Sequence, residues 1–270
     1  MHKWIIISCL FFSMMVHAQD SIHLRMQKKI VGSFSYMAPD GLDNVLVVTK
    51  SGQLIKYNAS LDSIATYNVL KQLGRVHSIA SFNALRTGVF FNQFKTILVL
   101  DRFLKEINRI DLRKAQLYQV NAVAQSFDNK WWVFDEQEAK LKKIGEDGRV
   151  DLETADMRVL VGESISPRLL FDQQRNVYAY DDAKGIYIFD EMGAFKKKLA
   201  LIGWKDVQPF GNGFIGIRQG KLLVYVANKP DVTEYFLPAE LAGAQMVGFT
   251  AEGCFALFSD GITKYTWQAK

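Results

Sequence analysis

The sequence predicts an all-β protein arranged as a closed ring of six four-stranded antiparallel sheets, and three observations carry that expectation. Short apolar and aromatic runs alternate with Gly, Asn and Asp turns about every 8–12 residues. The residues that end successive hairpins, Asn58, Asp101, Gly145 and Asp190, lie 43, 44 and 45 positions apart. No long stretch of helical periodicity interrupts the runs, which argues against a parallel sheet with crossover helices. Composition agrees, since 49% hydrophobic and 23% charged residues with 5 prolines in 270 describe a folded chain rather than a disordered one.

In chain order, residues 1–18 read as a cleaved export signal. His2 and Lys3 supply a basic start, residues 4–16 are mostly apolar, and Val16-His17-Ala18 suits a signal peptidase. The apolar run of 13 residues is shorter than the roughly 20 that a membrane-spanning helix needs. Ile6-Ile7-Ser8-Cys9 faintly resembles a lipobox, but only Trp4 and Ile5 precede it as an apolar region. The expected mature protein is therefore one domain over residues 19–270, without a transmembrane segment, periplasmic or secreted.

The first full unit shows strands at 44–49 and 53–58 around Ser51-Gly52; the fourth shows 177–181 and 186–190 around Lys184-Gly185. Ahead of such hairpins an apolar residue precedes Asp and an amide, as in Leu42-Asp43-Asn44, Phe127-Asp128-Asn129 and Phe171-Asp172-Gln173, read as turns because Asp and Asn hydrogen-bond local backbone. Weaker copies turn at Gly211-Asn212-Gly213 and Glu252-Gly253. The 252 residues after position 18 hold six units of about 42, and four short strands in about 40 residues make a propeller blade, so the prediction is a six-bladed β-propeller. The last unit supplies only three strands, near 245–250, 254–258 and 262–267. Asp20-Ser21-Ile22 recurs one period later as Asp62-Ser63-Ile64, where the first outer strand begins. Residues 21–26 are therefore expected to pair with 262–267 and close the ring, which removes exposed edges.

With these repeats, the chain resembles the six-bladed propellers of the NHL-repeat and TolB-like type, in which apolar-Asp-x-x-Gly/Asn precedes a hairpin. The resemblance spans the predicted mature chain at the level of repeat and closure. It implies a fold and a binding face, and carries no catalytic residue across.

After residue 18 the chain has a net charge of +4, two histidines (His23 and His77) and one cysteine, Cys254. That inventory excludes an intrachain disulfide, a Cys-rich zinc site and an iron–sulfur cluster, and the diffuse charge is unlike a nucleic-acid footprint. No nucleophile elbow, phosphate loop or zinc-helix motif is present. Cys254 reads as a small buried hydrophobe, Trp131 and Trp132 as core, and Lys196-Lys197-Lys198 as an exposed charged strand.

In a propeller, the second-to-third strand loops and the outer-to-inner loops gather at one end of the channel. The candidate binding residues all come from these loops: Arg75, His77, Asp135, Glu136, Asp181, Asp182, Trp204 and Lys205. Trp204 with Lys205 and Asp206 is the most site-like group, an aromatic platform beside both charges, although packing between blades is the preferred reading of that tryptophan. Asp135, Glu136, Glu138, Asp181, Asp182 and Asp260 would suit a hard cation such as calcium if they converged, against the plainer reading as solvated turn residues. Two functions follow. The favoured one is a non-catalytic module that binds an envelope protein or peptide partner through the channel-face loops, with no cofactor. The alternative is a metal-dependent, calcium-like lactonase or lyase at the channel rim, weakened because the inner strands, read as 34–36, 78–80, 123–125, 169–171, 208–210 and 246–248, supply no carboxylate to the channel wall.

Overall fold

Val, Ile, Leu, Phe and Tyr run nearly unbroken through the second and third strands of the units because neighbouring sheets cover both faces of them, and the computed structural model shows how. It describes residues 22–68, 73–81, 85–227, 229 and 231–268. The export signal read in residues 1–18 lies outside them. The described residues form six four-stranded antiparallel sheets, a six-bladed β-propeller. Strand β1 (Leu24–Val31) comes first but belongs to the sixth blade. Blade one is β2 (Phe34–Pro39), β3 (Val45–Thr49), β4 (Leu54–Tyr57) and β5 (Ser63–Tyr67); blade two is β6 (Ser78–Ala80), β7 (Arg86–Phe91), β8 (Thr96–Asp101) and β9 (Glu106–Asp111). Blade three is β10 (Val120–Gln125), β11 (Trp131–Asp135), β12 (Lys140–Ile144) and β13 (Val150–Glu153), followed by the one-turn helix α1 (Met157–Leu160). Blade four is β14 (Leu169–Gln173), β15 (Asn176–Asp181), β16 (Gly185–Asp190) and β17 (Phe195–Leu199); blade five is β18 (Lys205–Phe210), β19 (Gly213–Arg218), β20 (Lys221–Val226) and β21 (Thr233–Phe236). Blade six is β22 (Met246–Phe249), β23 (Gly253–Phe258), β24 (Gly261–Trp267) and β1.

The period markers found in the sequence have one local cause. Asn58, Asp101 and Asp190 each present a side-chain oxygen to the backbone N–H groups two and four residues on, at 2.8–3.0 Å, closing the turn into the outer strand. Three residues after each marker the backbone turns left-handed, at Leu61 (φ 57°), Leu104 (φ 59°) and Gly193 (φ 81°). Gly145 occupies the same place in blade three, with Gly148 at φ 82° and the same backbone bonds. The Phe171-Asp172-Gln173 match is a correction: Asp172 lies within β14, and the tight turn is Gln174-Arg175, at φ 52° and 58°. Its carboxylate reaches blade three, accepting from Ser126 Oγ (2.7 Å) and Trp132 Nε1 (3.0 Å).

Closure occurs as predicted in kind and differs in register. β1 pairs with β24 from Leu24 opposite Trp267 to Val31 opposite Gly261, so the closing strand is Leu24–Val31 rather than residues 21–26. A three-residue recurrence does not set register; burial does. Leu24 is the buried side chain of β1, and it packs with Ile215, Leu222, Leu241 and Val247 between blades five and six. The remaining seams hold hydrophobic clusters such as Phe90, Val99, Val123, Trp131 and Val133 between blades two and three. There Gly88 leaves room for Trp131, whose ring would lie 2.0 Å from any Cβ. Cys254 and both adjacent tryptophans are buried, and residues 196–198 are exposed.

Third strands also carry buried lysines, each neutralised. Lys56 meets Asp40 at 3.0 Å, Lys142 meets Asp135 at 2.8 Å, Lys143 meets Asp128 at 2.8 Å and Lys264 meets Asp43 at 2.5 Å. Burial would push the Asp40 carboxyl up, but hydrogen bonds from the Asn44 side chain, the Leu42 N–H and Lys56 outweigh it and hold it below the usual range. No described helix is long and apolar enough to cross a membrane.

Candidate binding face at the channel mouth

Because each blade runs antiparallel from inner to outer strand, its second-to-third loop and the following outer-to-inner loop emerge together. Backbone bonds tie the two sets: Lys50 N–H to Ser33 O, Leu112 N–H to Lys95 O, Glu136 N–H to Gln119 O, Gly203 N–H to Asp182 O, Leu237 N–H to Gly220 O and Gly32 N–H to Asp260 O. This end of the channel is the mouth. The inner strands of blades one, three and five slip register there, between Phe34 and Tyr36, between Val120 and Val123, and between Lys205 and Gln208. A bulge adds a residue to one strand and re-aims its side chain.

A polar belt runs from blade two to blade four. His77 Nε2 meets Asn121 O at 2.9 Å, Asn121 bridges Asn92 (3.3 Å) and Glu136 (3.4 Å), Ser166 Oγ donates to Glu136 at 3.0 Å, and Ser166 N–H donates to Asp181 at 2.8 Å. Burial pushes the Glu136 carboxyl up, with Asp181 and Asp135 adding to it, although bonds from Ser166 and Asn121 oppose the rise. On the blade-four side, Arg168 Nε pairs with Asp182 at 2.5 Å and Nη2 donates to Trp204 O at 3.0 Å. Tyr180 Oη accepts from Trp204 N–H at 2.6 Å.

Inside the mouth, a cavity of about 320 Å³ is walled by the inner strands of blades one, two, four, five and six. Asp206 faces it. This residue sits in the β18 bulge with φ 51°, its side chain is only 11% exposed, and Oδ2 has no hydrogen-bond partner. The nearest cation is Lys205 Nζ at 3.9 Å, on a side chain that is 56% exposed. Burial raises the Asp206 carboxyl to about 6, with Lys205, the Val247 backbone N–H and Arg168 opposing. A second cavity of about 60 Å³ adjoins along Tyr36, Ser78 and Leu169 and adds blade three through Gln125.

The predicted residues divide. Arg75 and His77 are exposed and line a cavity of about 340 Å³ between blades one and two. Glu136, Asp182 and Lys205 also lie at the mouth, and the belt brings His77, Glu136 and Asp181 into one network. Asp135 and Asp181 are buried beneath the loops: Asp135 holds Lys142 and the Gln137 N–H, and Asp181 caps Ala183 and Ser166 N–H groups. Trp204 is 2% exposed, packed with Phe171, Tyr180 and Phe214, so it offers no platform to a ligand. The acidic residues do not converge: Asp182 is on Arg168, Glu138 on Lys142 and Lys140, and Asp260 on Lys29, and no group of metal-spaced His, Cys, Asp or Glu occurs among the described residues.

Asp206 and Arg168 went unread in the sequence as channel residues, and the reading that inner strands carry no wall carboxylate is corrected by Asp206. A bulge breaks the period of two, so alternation counted from Gln208 stops short of it. The adjacent charged pair Lys205-Asp206 opening an otherwise apolar strand was the available signal.

No protein-family model matches the chain, and no curated protein matches it. Among solved structures, the Pan2 WD40 domain of Neurospora crassa aligns with TM-score 0.63 at 13% identity, covering 93% of this chain and 97% of that one. Virginiamycin B lyase of Staphylococcus aureus aligns with TM-score 0.61 at 12% identity over 90% and 99%. The β-propeller domain of Cps50 (Swd1) from Myceliophteria thermophila aligns with TM-score 0.60 at 9% identity over 92% and 100%. At these identities the likeness is one of fold.

Proposed function

We propose that this chain is an exported, non-catalytic propeller of the NHL/TolB-like type that holds an envelope protein or peptide partner across the channel mouth. The observation that supports this best is a mouth whose exposed charged groups, among them Arg75, His77, Asp182 and Lys205, surround an open channel, with the loops of Asp182 and Lys205 tied to each other by the Gly203 N–H to Asp182 O bond, so little ordering of them is needed on binding. The domains of Pan2 and Cps50 share the architecture. The alternative, a calcium-like lactonase or lyase, draws on the likeness to virginiamycin B lyase, but the rim carboxylates here already neutralise lysines and arginines. Affinity capture from the native envelope tests the proposal. The wild-type chain should retain a specific partner that the combined Arg75→Ala, His77→Ala, Lys205→Ala variant loses; equal capture by both would overturn the reading. Stabilisation by millimolar calcium would favour the metal alternative.

A further inference from the structure

We infer that the channel is a binding site for an aliphatic primary ammonium, borne either by a small free amine or by a lysine side chain of the partner. The lysine source rests on the function proposed above; the free-amine source does not. Asp206 is a mostly buried carboxylate compensated chiefly by Lys205 at 3.9 Å and by the Val247 backbone N–H. Asp206 is held facing the channel by a bulged, left-handed backbone, a conformation that costs energy for a non-glycine residue and persists where the surroundings enforce it. Its Oδ2 receives no hydrogen bond. Lys205 is too exposed and too distant to satisfy it, and Arg168 is engaged by Asp182 and by the Trp204 carbonyl.

Ser78 Oγ, shared by both cavities, and both atoms of the Gln125 amide, Oε1 and Nε2, in the inner one also lie along the channel without protein partners. An ammonium carries three N–H donors and no acceptor, so it matches the three oxygens left open here, Asp206 Oδ2, Ser78 Oγ and Gln125 Oε1. An anion would meet the Asp206 charge. Of the remaining wall, Arg168 is held on Asp182 and His77 on the Asn121 carbonyl, while Met37, Ile79, Val207 and Val247 favour an aliphatic stem behind the charged head. A cavity of about 320 Å³ is ample for such a group.

Titration calorimetry with butylamine, with butanol and butyrate as chain-matched controls, tests the site directly, and a lysine-containing peptide against its Nε-acetylated form tests the second source. Butylamine should bind the full-length mature protein while butanol and butyrate do not, and Asp206→Asn should weaken it at least about tenfold, the loss expected of a charge-assisted bond. Ser78→Ala should weaken it by a smaller factor. If only the lysine peptide binds, and Asp206→Asn removes that binding, the ammonium comes from the partner. Failure of both probes, or binding unchanged in Asp206→Asn, overturns the inference. Butylamine binding lost in Asp206→Asn sustains it even if no partner is captured, so failure of the partner reading is seen separately.

Discussion

The two ends of the channel are built by opposite rules. At the turn end, one short loop recurs, closed by a side-chain or backbone oxygen at Asn58, Asp101, Gly145 and Asp190 with a left-handed residue three positions on. At the mouth, outer-to-inner loops range from residues 32–33 to residues 154–168, and alternate inner strands carry bulges. The turn end sets carboxylates directly against buried lysines, as at Asp40 with Lys56 and Asp43 with Lys264, whereas at the mouth Asp206 has its nearest cation, Lys205, 3.9 Å away. The comparison teaches that one recurring turn and a set of divergent loops have been separated onto opposite ends of the same repeat.

The strongest way to break this comparison is at Asp40. Replacing it with Ala strands a buried Lys56 ammonium and opens the turn, so Asp40→Ala should lose about 3–5 kcal/mol in urea unfolding. Butylamine binding should be unchanged wherever the variant is folded. A loss below about 1 kcal/mol would mean that the turn end is not where stability is concentrated.

The next effect has the opposite sign. Because the Asp206 carboxyl is raised to about 6 in the folded state, it binds protons more tightly folded than unfolded. Its contribution to stability is full below the unfolded value near 4 and is lost as pH rises through about 6. Asp206→Asn should therefore match wild type near pH 4 and exceed it by on the order of 2–3 kcal/mol at pH 7, read from melting or urea curves across that window. Asp40 behaves conversely, supplying stability above the usual carboxylate range that disappears as pH falls through its lowered folded value. Asp206→Asn less stable than wild type at pH 7 would make the residue a structural one.

The smallest effect sharpens the regular end. Asp101→Ala removes two backbone-to-side-chain bonds and should lose about 1–2 kcal/mol. Blade three does without that acceptor at Gly145, where Asp147 accepts from Arg149 N–H at 3.0 Å. Introducing Asp at Gly145 should therefore not stabilise, since its Cβ would lie 2.8 Å from the Asp147 carboxylate.

Legibility in the sequence follows the same division. The hairpin spacing, the inner strands and the loops at each end were readable because the turn chemistry that sets them is local: an acceptor, then a residue that tolerates a left-handed backbone. The register of β1 was not, because it depends on Leu24 entering a cluster built by residues some two hundred positions away. Asp206 was hidden for a related reason, since a bulge is a tertiary accommodation that alternation does not announce. Trp204 shows the reverse, a conspicuous residue in a loop whose bulk goes into the seam between blades four and five.

The closing strand carries a consequence for how the molecule is made. β1 is synthesised first and its partner β24 last, so every incomplete chain has a ring with one strand waiting and one edge open. Contacts of such long sequence separation slow folding and prolong exposure to self-association. β1 meets that interval with Arg25, Gln27, Lys28 and Lys29 exposed and two apolar side chains that dock, Leu24 and Ile30. Charged side chains on an open edge disfavour pairing with another copy, and Leu24 has its pocket only once blade six exists.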